Sequence, residues 1–281
     1  MALTTAEIAD EPTFHALVQE QSRNMLALYG ANPRLSAVFA TQQRWLMAHL
    51  GLALYFRNQP DGLSVTRFLD AVRAHAVASP NTADAFIKEM LSYDFILRGK
   101  ESSDRRVRPL YPASIALAAV EGWLLAHLAT LDGIDGARRL PTFRAAPEAL
   151  AGMQPHICDG LLSAGEVREP KDTFSLFTWL NSGGIIMDRL IAGMQPAGPG
   201  AECIPTDIGS LAEIGTWLNL SRTHLARKLR EAENLGSIGW TGKRGRSAMW
   251  VSTGFRREYL TAQAVKLAVI DRAYQTVFGT P

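Results

Sequence analysis

The chain reads as a mainly α-helical protein with two small β-hairpins, built from one unit of helices and hairpin used twice. Three observations predict this. Apolar residues recur at three- and four-residue spacing through most of the 281 residues. Strand-like runs are few and short, and the order of helices, runs and turns in the first half returns in the second.

A first helix is expected over Thr5–Tyr29, ended by Gly30-Ala31-Asn32-Pro33. A second spans Ser36–Arg57, where Phe39, Leu46, Leu50 and Leu54 form an apolar face with Trp45 beside them, before the turn Asn58-Gln59-Pro60-Asp61-Gly62. Two shorter helices follow, Ser64–Val77 and Pro80–Tyr93. Short strands are then expected at Phe95–Arg98 and Arg106–Leu110, joined by a polar tip, and a long helix over Ala113–Leu131 closes the segment. From 133 to 170 the pattern weakens into a connector with some helix around Pro147–Ser163. Helices return at Thr173–Met194, Asp207–Leu218 and Ser221–Leu235. Strands are expected at Ile238–Trp240 and Ala248–Val251, and a final helix at Gly254–Val277.

Helix, helix, helix, β-hairpin, helix is the order of a winged helix-turn-helix, in which the hairpin is the wing. The expected organisation is therefore 1–135 for the N-terminal helix and first unit, 136–170 for the connector, and 171–281 for the second unit. A constant offset of 142 supports the duplication. It places Ser79 over Ser221 and runs without a gap to Ile96 over Ile238, with apolar matches at Val72 and Ile214, Ala83 and Leu225, and Ile87 and Leu229.

Composition is that of a globular protein: 47% hydrophobic, 20% charged, net charge +2. Cys158 and Cys203 lie far apart with no CxxC partner, which argues against a disulfide framework or a zinc site and for a reducing cytoplasm. The N-terminus lacks the pattern of a signal peptide. The longest apolar run, Ser114–Leu131, is interrupted by Glu121 and His127 and reads as a core helix, so no membrane association is expected.

The chemistry concentrates in the second unit. Ser221 suits the N-cap of a helix that begins Arg222, Thr223, His224, the positions from which a recognition helix reaches base edges. Arg227, Lys228 and Arg230 follow but are not all on one face, so phosphate contact is expected of some and simple solvation of others, with Leu225 and Leu229 facing inward. The hairpin tip adds Lys243, Arg244 and Arg246, so both elements that would meet one duplex are basic. In the first unit the equivalent helix offers Ser79, Asn81, Thr82 and Lys88, opposed by Asp84 and Glu89, and the wing offers Arg98, Lys100, Arg105, Arg106 and Arg108.

The string Ser103-Asp104-Arg105-Arg106-Val107, followed by Pro109-Leu110-Tyr111-Pro112, resembles the wing of MarR-family regulators. The resemblance covers about 36–131, with the second unit a looser match. It implies that Asp104 braces an arginine, Arg105 or Arg106, inserted into the minor groove. MarR proteins usually carry one unit per chain and dimerise, whereas this chain carries two. A monomer with unequal recognition helices would imitate such a dimer and favour an asymmetric site. A homodimer through the first helix is the other arrangement, weakly favoured because that amphipathic helix needs cover. The resemblance also implies a small aromatic effector; Trp45, Trp123 and Trp179 lie on helices that would border such a cavity, but core packing accounts for them and no effector is assigned.

No dinucleotide, P-loop, nucleophile-elbow or metalloprotease motif occurs, and the histidines do not cluster at ligand spacing, so neither enzyme nor cofactor is expected. Asn181-Ser182-Gly183-Gly184 is too short to hold phosphate. The expectation is a cytoplasmic, nucleoid-associated transcription regulator that binds double-stranded DNA. A plasmid-type replication initiator and a winged-helix module for protein partners are the alternatives.

Overall fold

The computed structural model describes residues 1–38, 41–99, 108–178, 183–198, 200–218 and 222–279. It is mainly helical with small antiparallel sheets, as the periodicity predicts. Helices α1 (Thr5–Asp10), α2 (Phe14–Ala31) and α3 (Pro33–Val38) lead into a first unit. This comprises α4 (Gln42–Arg57), α5 (Val65–Ala74), α6 (Pro80–Ser92), β1 (Ile96–Arg98), β2 (Leu110–Pro112) and α7 (Ser114–Asp135). Next come α8 (Arg139–Ala145), α9 (Ala149–Ser163), α10 (Gly165–Arg168) and α11 (Asp172–Thr178). The second unit is α12 (Gly183–Ala192), β3 (Cys203–Pro205), α13 (Leu211–Leu218), α14 (Arg222–Asn234), β4 (Ile238–Trp240), β5 (Met249–Ser252) and α15 (Thr253–Phe278).

The offset of 142 recurs in the element boundaries themselves. It carries Pro80–Ser92 onto Arg222–Asn234 and Ile96–Arg98 onto Ile238–Trp240. The turns that join these elements match as well. Asp94 and Gly236 both hold a left-handed backbone, φ 55° and 69°. In each turn the next amide reaches back to close the helix, Phe95 to Met90 O at 2.9 Å and Ser237 to Ala232 O at 3.0 Å. This is the cap for which glycine is preferred, and aspartate is among the few other residues that tolerate it. In the second unit β5 lies between β3 and β4. In the first, β2 pairs with β1 on one side and bridges Leu63 on the other, reproducing that order with a shortened third strand.

Local signals account for the helix starts. Ser64, Ser79 and Ser252 cap α5, α6 and α15 through their side-chain oxygens, and Pro80 opens α6 where its missing N–H costs nothing. The apolar faces then bury Phe68 and Val72 of α5; Ala83, Phe86, Ile87 and Met90 of α6; and Leu225, Leu229 and Ala232 of α14.

The two units are joined by an exchange of helices. The helix ahead of the first unit, α2, lies against α7 of that unit and α12 of the second. The helix ahead of the second, α9, lies against α15 of its own unit and α4 of the first. Phe14, Val18 and Tyr29 of α2 are therefore covered within the chain, and the cover that a homodimer would have supplied is already present. The weakly patterned stretch 133–170 is richer in structure than a connector: it forms α8, α9 and α10, and α9 buries Met153, Ile157, Cys158 and Leu161. The expected first helix is broken into α1 and α2. Among the described residues only α7 is long and apolar enough to cross a membrane, and Leu124, Leu128 and Leu131 on it are fully buried.

Polar groups sit inside this interior. Arg139, 3% exposed, donates from Nε to Asp271 at 2.7 Å and from both terminal nitrogens to Asp135 at 2.7 Å. Asp271, on α15 and fully buried, also accepts the Leu3 amide at 2.7 Å. The hydrogen bonds from Arg139 hold the Asp135 carboxyl below its usual range. Nearby, Trp45, His49, Trp123 and His127 form a chain of edge-on and tilted rings. Gln154 bonds His49 Nδ1 at 2.9 Å, and His127 donates from Nδ1 to Trp123 O at 2.8 Å. Burial, helped by the charge of Lys266, pushes His49 down to about 3 and His127 well below the usual histidine range.

Replacing Arg139 by Met is expected to cost about 3–5 kcal/mol in urea unfolding, because the buried Asp271 carboxylate loses its counter-charge; a loss below about 1 kcal/mol would dismiss the role given to this contact. Acidification is expected to destabilise the protein through the histidines. Below pH 6.5 the unfolded chain takes up protons that the folded one refuses, so stability falls as pH drops from about 6.5 towards 3. Asp188, pushed up to about 6 by burial, acts in the opposite sense, so the comparison is with a variant. His127→Leu is expected to lose about 1–2 kcal/mol less than the native chain between pH 7 and 5. Parallel curves would rule out a buried neutral His127.

Candidate nucleic-acid interface

Helix α14 turns Leu225 and Leu229 inward, which leaves Thr223, Arg227 and Arg230 on the opposite, exposed side. Arg222 and His224 lie in its first turn. Ser221 lies outside the described residues. Lys228 is half-buried and pairs with Glu231 at 3.1 Å, so its charge is partly spent within the helix. Two contacts hold α13 and α14 in place. Arg189 of α12 reaches Asp207 at 2.5 Å and Glu213 of α13 at 2.9 Å. Thr173 of α11 hydrogen-bonds Ser237, just past α14.

The β4–β5 tip is fastened to α14 by one of the predicted site residues. Arg244 donates from Nε to both oxygens of Glu233, at 2.7 and 3.1 Å, and from Nη2 to the Ala226 carbonyl at 3.2 Å. The Trp240 indole N–H bonds the same carboxylate at 2.8 Å. Arg244 therefore braces the tip: its side chain is half-buried, and its Nε and Nη2 donate within the chain. Lys243 and Arg246, on either side of it, remain exposed. Glu233 has no counterpart among the sequence-predicted residues. It lies 11 positions from Arg244, and no local pattern marks the pairing.

In the first unit Ser79 is occupied as a cap, accepting the Thr82 amide at 3.2 Å, while Asn81 and Thr82 are exposed. Lys88 pairs with Asp84 at 2.6 Å, and Glu89 is taken by Arg44 of α4 at 2.8 Å. The two acids expected to oppose phosphate are thus neutralised locally, and so is the lysine expected to attract it. Arg98 and Arg108 are exposed at the hairpin's base. Lys100 lies outside the described residues, as do Trp179 and Asp104, Arg105 and Arg106 of the string that carries the MarR-like resemblance.

Among the described residues, the exposed cations Arg227, Arg230, Lys243 and Arg246 of the second unit gather on α14 and the β4–β5 tip. No metal-ligating cluster occurs among the described residues. No protein-family model matches the chain, and neither the characterised proteins nor the solved structures searched contain a match to it.

Proposed function

We propose that the chain is a sequence-specific double-stranded-DNA-binding transcription regulator, made of two winged helix-turn-helix units in tandem. In this reading α5–α6 and α13–α14 are the helix pairs, α6 and α14 the recognition helices, and the β1–β2 and β4–β5 hairpins the wings. The observation that carries it is the second unit's basic surface. Thr223, Arg227 and Arg230 on one helix stand beside a hairpin tip bearing Lys243 and Arg246, and Arg244 locks that tip to the helix through Glu233. A recognition helix and wing fixed to one another can meet a groove and its flanking phosphates without paying to order the hairpin first.

The first unit repeats the geometry with weaker charge, so it would add register and site length more than affinity. Because α2 and α9 cover the two units reciprocally, a single chain presents two related recognition helices. That favours an asymmetric operator over a palindrome.

Fluorescence anisotropy on duplex fragments from around the protein's own gene, across a salt series, tests this reading. The native chain is expected to select one fragment and to weaken steeply with salt. Arg222→Ala/Arg246→Ala is expected to lose at least about 100-fold in affinity and to lower the salt slope by about 2. Weak binding, equal on every fragment and indifferent to both arginines, would overturn it.

A further inference from the structure

Where the two units meet, the helices leave a cavity of about 570 Å³. This lies within the range of about 300–1,000 Å³ seen for small-molecule sites. Its wall comes from both units: Leu28 of α2, Trp45 and His49 of α4, Trp123 of α7, Asp188 of α12 and Lys266 of α15. Most of the remaining lining is aliphatic or aromatic.

The polar groups in this wall are unequally satisfied. Asp188 accepts the Tyr259 hydroxyl, which in turn accepts from Ser22 at 3.1 Å. His49 is held by Gln154. Lys266 is different. Its ammonium donates to Gln263 Oε1 at 3.1 Å and stands 5.8 Å from the centre of the Trp45 ring. Among the described residues no carboxylate comes within ion-pair distance of it. A half-buried ammonium at a largely apolar wall, with one hydrogen bond for its three donors among the described residues, is poorly satisfied unless an anion joins it. The histidines beside it are kept neutral by burial and by the Lys266 charge itself, so they supply no counter-charge. The half-buried Asp188 carboxylate has a field that reaches the ammonium, and the Tyr259 hydroxyl already binds it.

We propose that this cavity binds a hydrophobic monocarboxylate, its carboxylate paired with Lys266 and its hydrocarbon body lying against Trp45 and Trp123. The apolar wall supplies affinity through burial and the ammonium selects the acid from its neutral analogue. The site does not depend on the DNA-binding reading, since nothing in it uses α14 or the hairpin tips. Aromatic and aliphatic acids share this chemistry, and the test separates them.

Isothermal titration calorimetry of the full chain with 1-naphthoate and with decanoate, and with the corresponding alcohols 1-naphthalenemethanol and decanol, is the experiment. At least one acid is expected to bind saturably at one site per chain, at least 10-fold more tightly than its alcohol. Naphthoate alone would mark a flat aromatic ligand, decanoate alone a flexible aliphatic one. Lys266→Met is expected to bind the acid at least 10-fold more weakly and to leave the alcohol unchanged. Ala119→Trp, which fills part of the cavity from α7, is expected to weaken acid and alcohol together. The acid–alcohol comparison on the native chain and the Ala119→Trp result stand even if Lys266→Met does not fold. No saturable binding of either acid, equal binding of acid and alcohol, or unchanged acid binding in a folded Lys266→Met would overturn the proposal.

Discussion

A small unit of four helices and a hairpin can bury one face of each helix, but its first and last helices are left with a second apolar face that needs cover. In this chain each unit's second face is covered by a helix that precedes the other unit's partner elements. Helix α2 spans α7 and α12, while α9 spans α15 and α4. The rest of the structure depends on this exchange. It makes one continuous hydrophobic core of what would otherwise be two, and it fixes the units so that the two candidate recognition helices belong to one body. It also creates the cavity whose largely apolar wall carries Lys266 and Asp188.

Arg139 pins the exchange. Its guanidinium joins α8 to α7 through Asp135 and to α15 through Asp271, and Asp271 in turn fixes the chain's third residue. Buried ion pairs are weak contributors to net stability, because desolvation cancels much of the attraction. Their value lies in direction: an unpaired carboxylate at that depth is so costly that other packings of α15 against α7 and α8 are penalised. The same logic operates at the surface with smaller energies, where Arg244 and Glu233 choose one placement of the hairpin tip over many.

The parts of this fold that sequence made legible are those with local signals. The seryl caps, Pro80, the turn residues and the apolar spacing of Leu225 and Leu229 all act within a few residues of one another, and the offset of 142 located α6, α14, β1 and β4 almost to the residue. The parts it hid are set by distant contacts. Helix α9 carries Gly152, Pro155 and Gly160, and its exposed and buried sides are blurred because two helices cover it. Strand β3 is three residues long and ends in proline, and it exists through its pairing with β5. No local pattern distinguishes Lys266 on its long helix, and it is the meeting of the two units that sets it in a cavity wall. For the candidate interface, charge was legible but its use was not. Sequence marks Arg244 and Arg246 alike, yet one turns inward to Glu233 and the other stays in solvent.

The bond from the Leu3 amide to Asp271 spans 268 positions. During synthesis α1 and α9 both leave the ribosome before α15, so each must wait for the α15 face that it packs against. The first unit can form its helix pair and hairpin early, but it must wait with α4 and α2 uncovered. Such a nascent chain carries exposed apolar surface until α15 is made, a state in which chaperone binding or misassembly with a neighbouring chain competes with folding. Loss of α15 would therefore be far more damaging than its 26 residues suggest. It would take from the core a helix that packs against α1, α7 and α9 together.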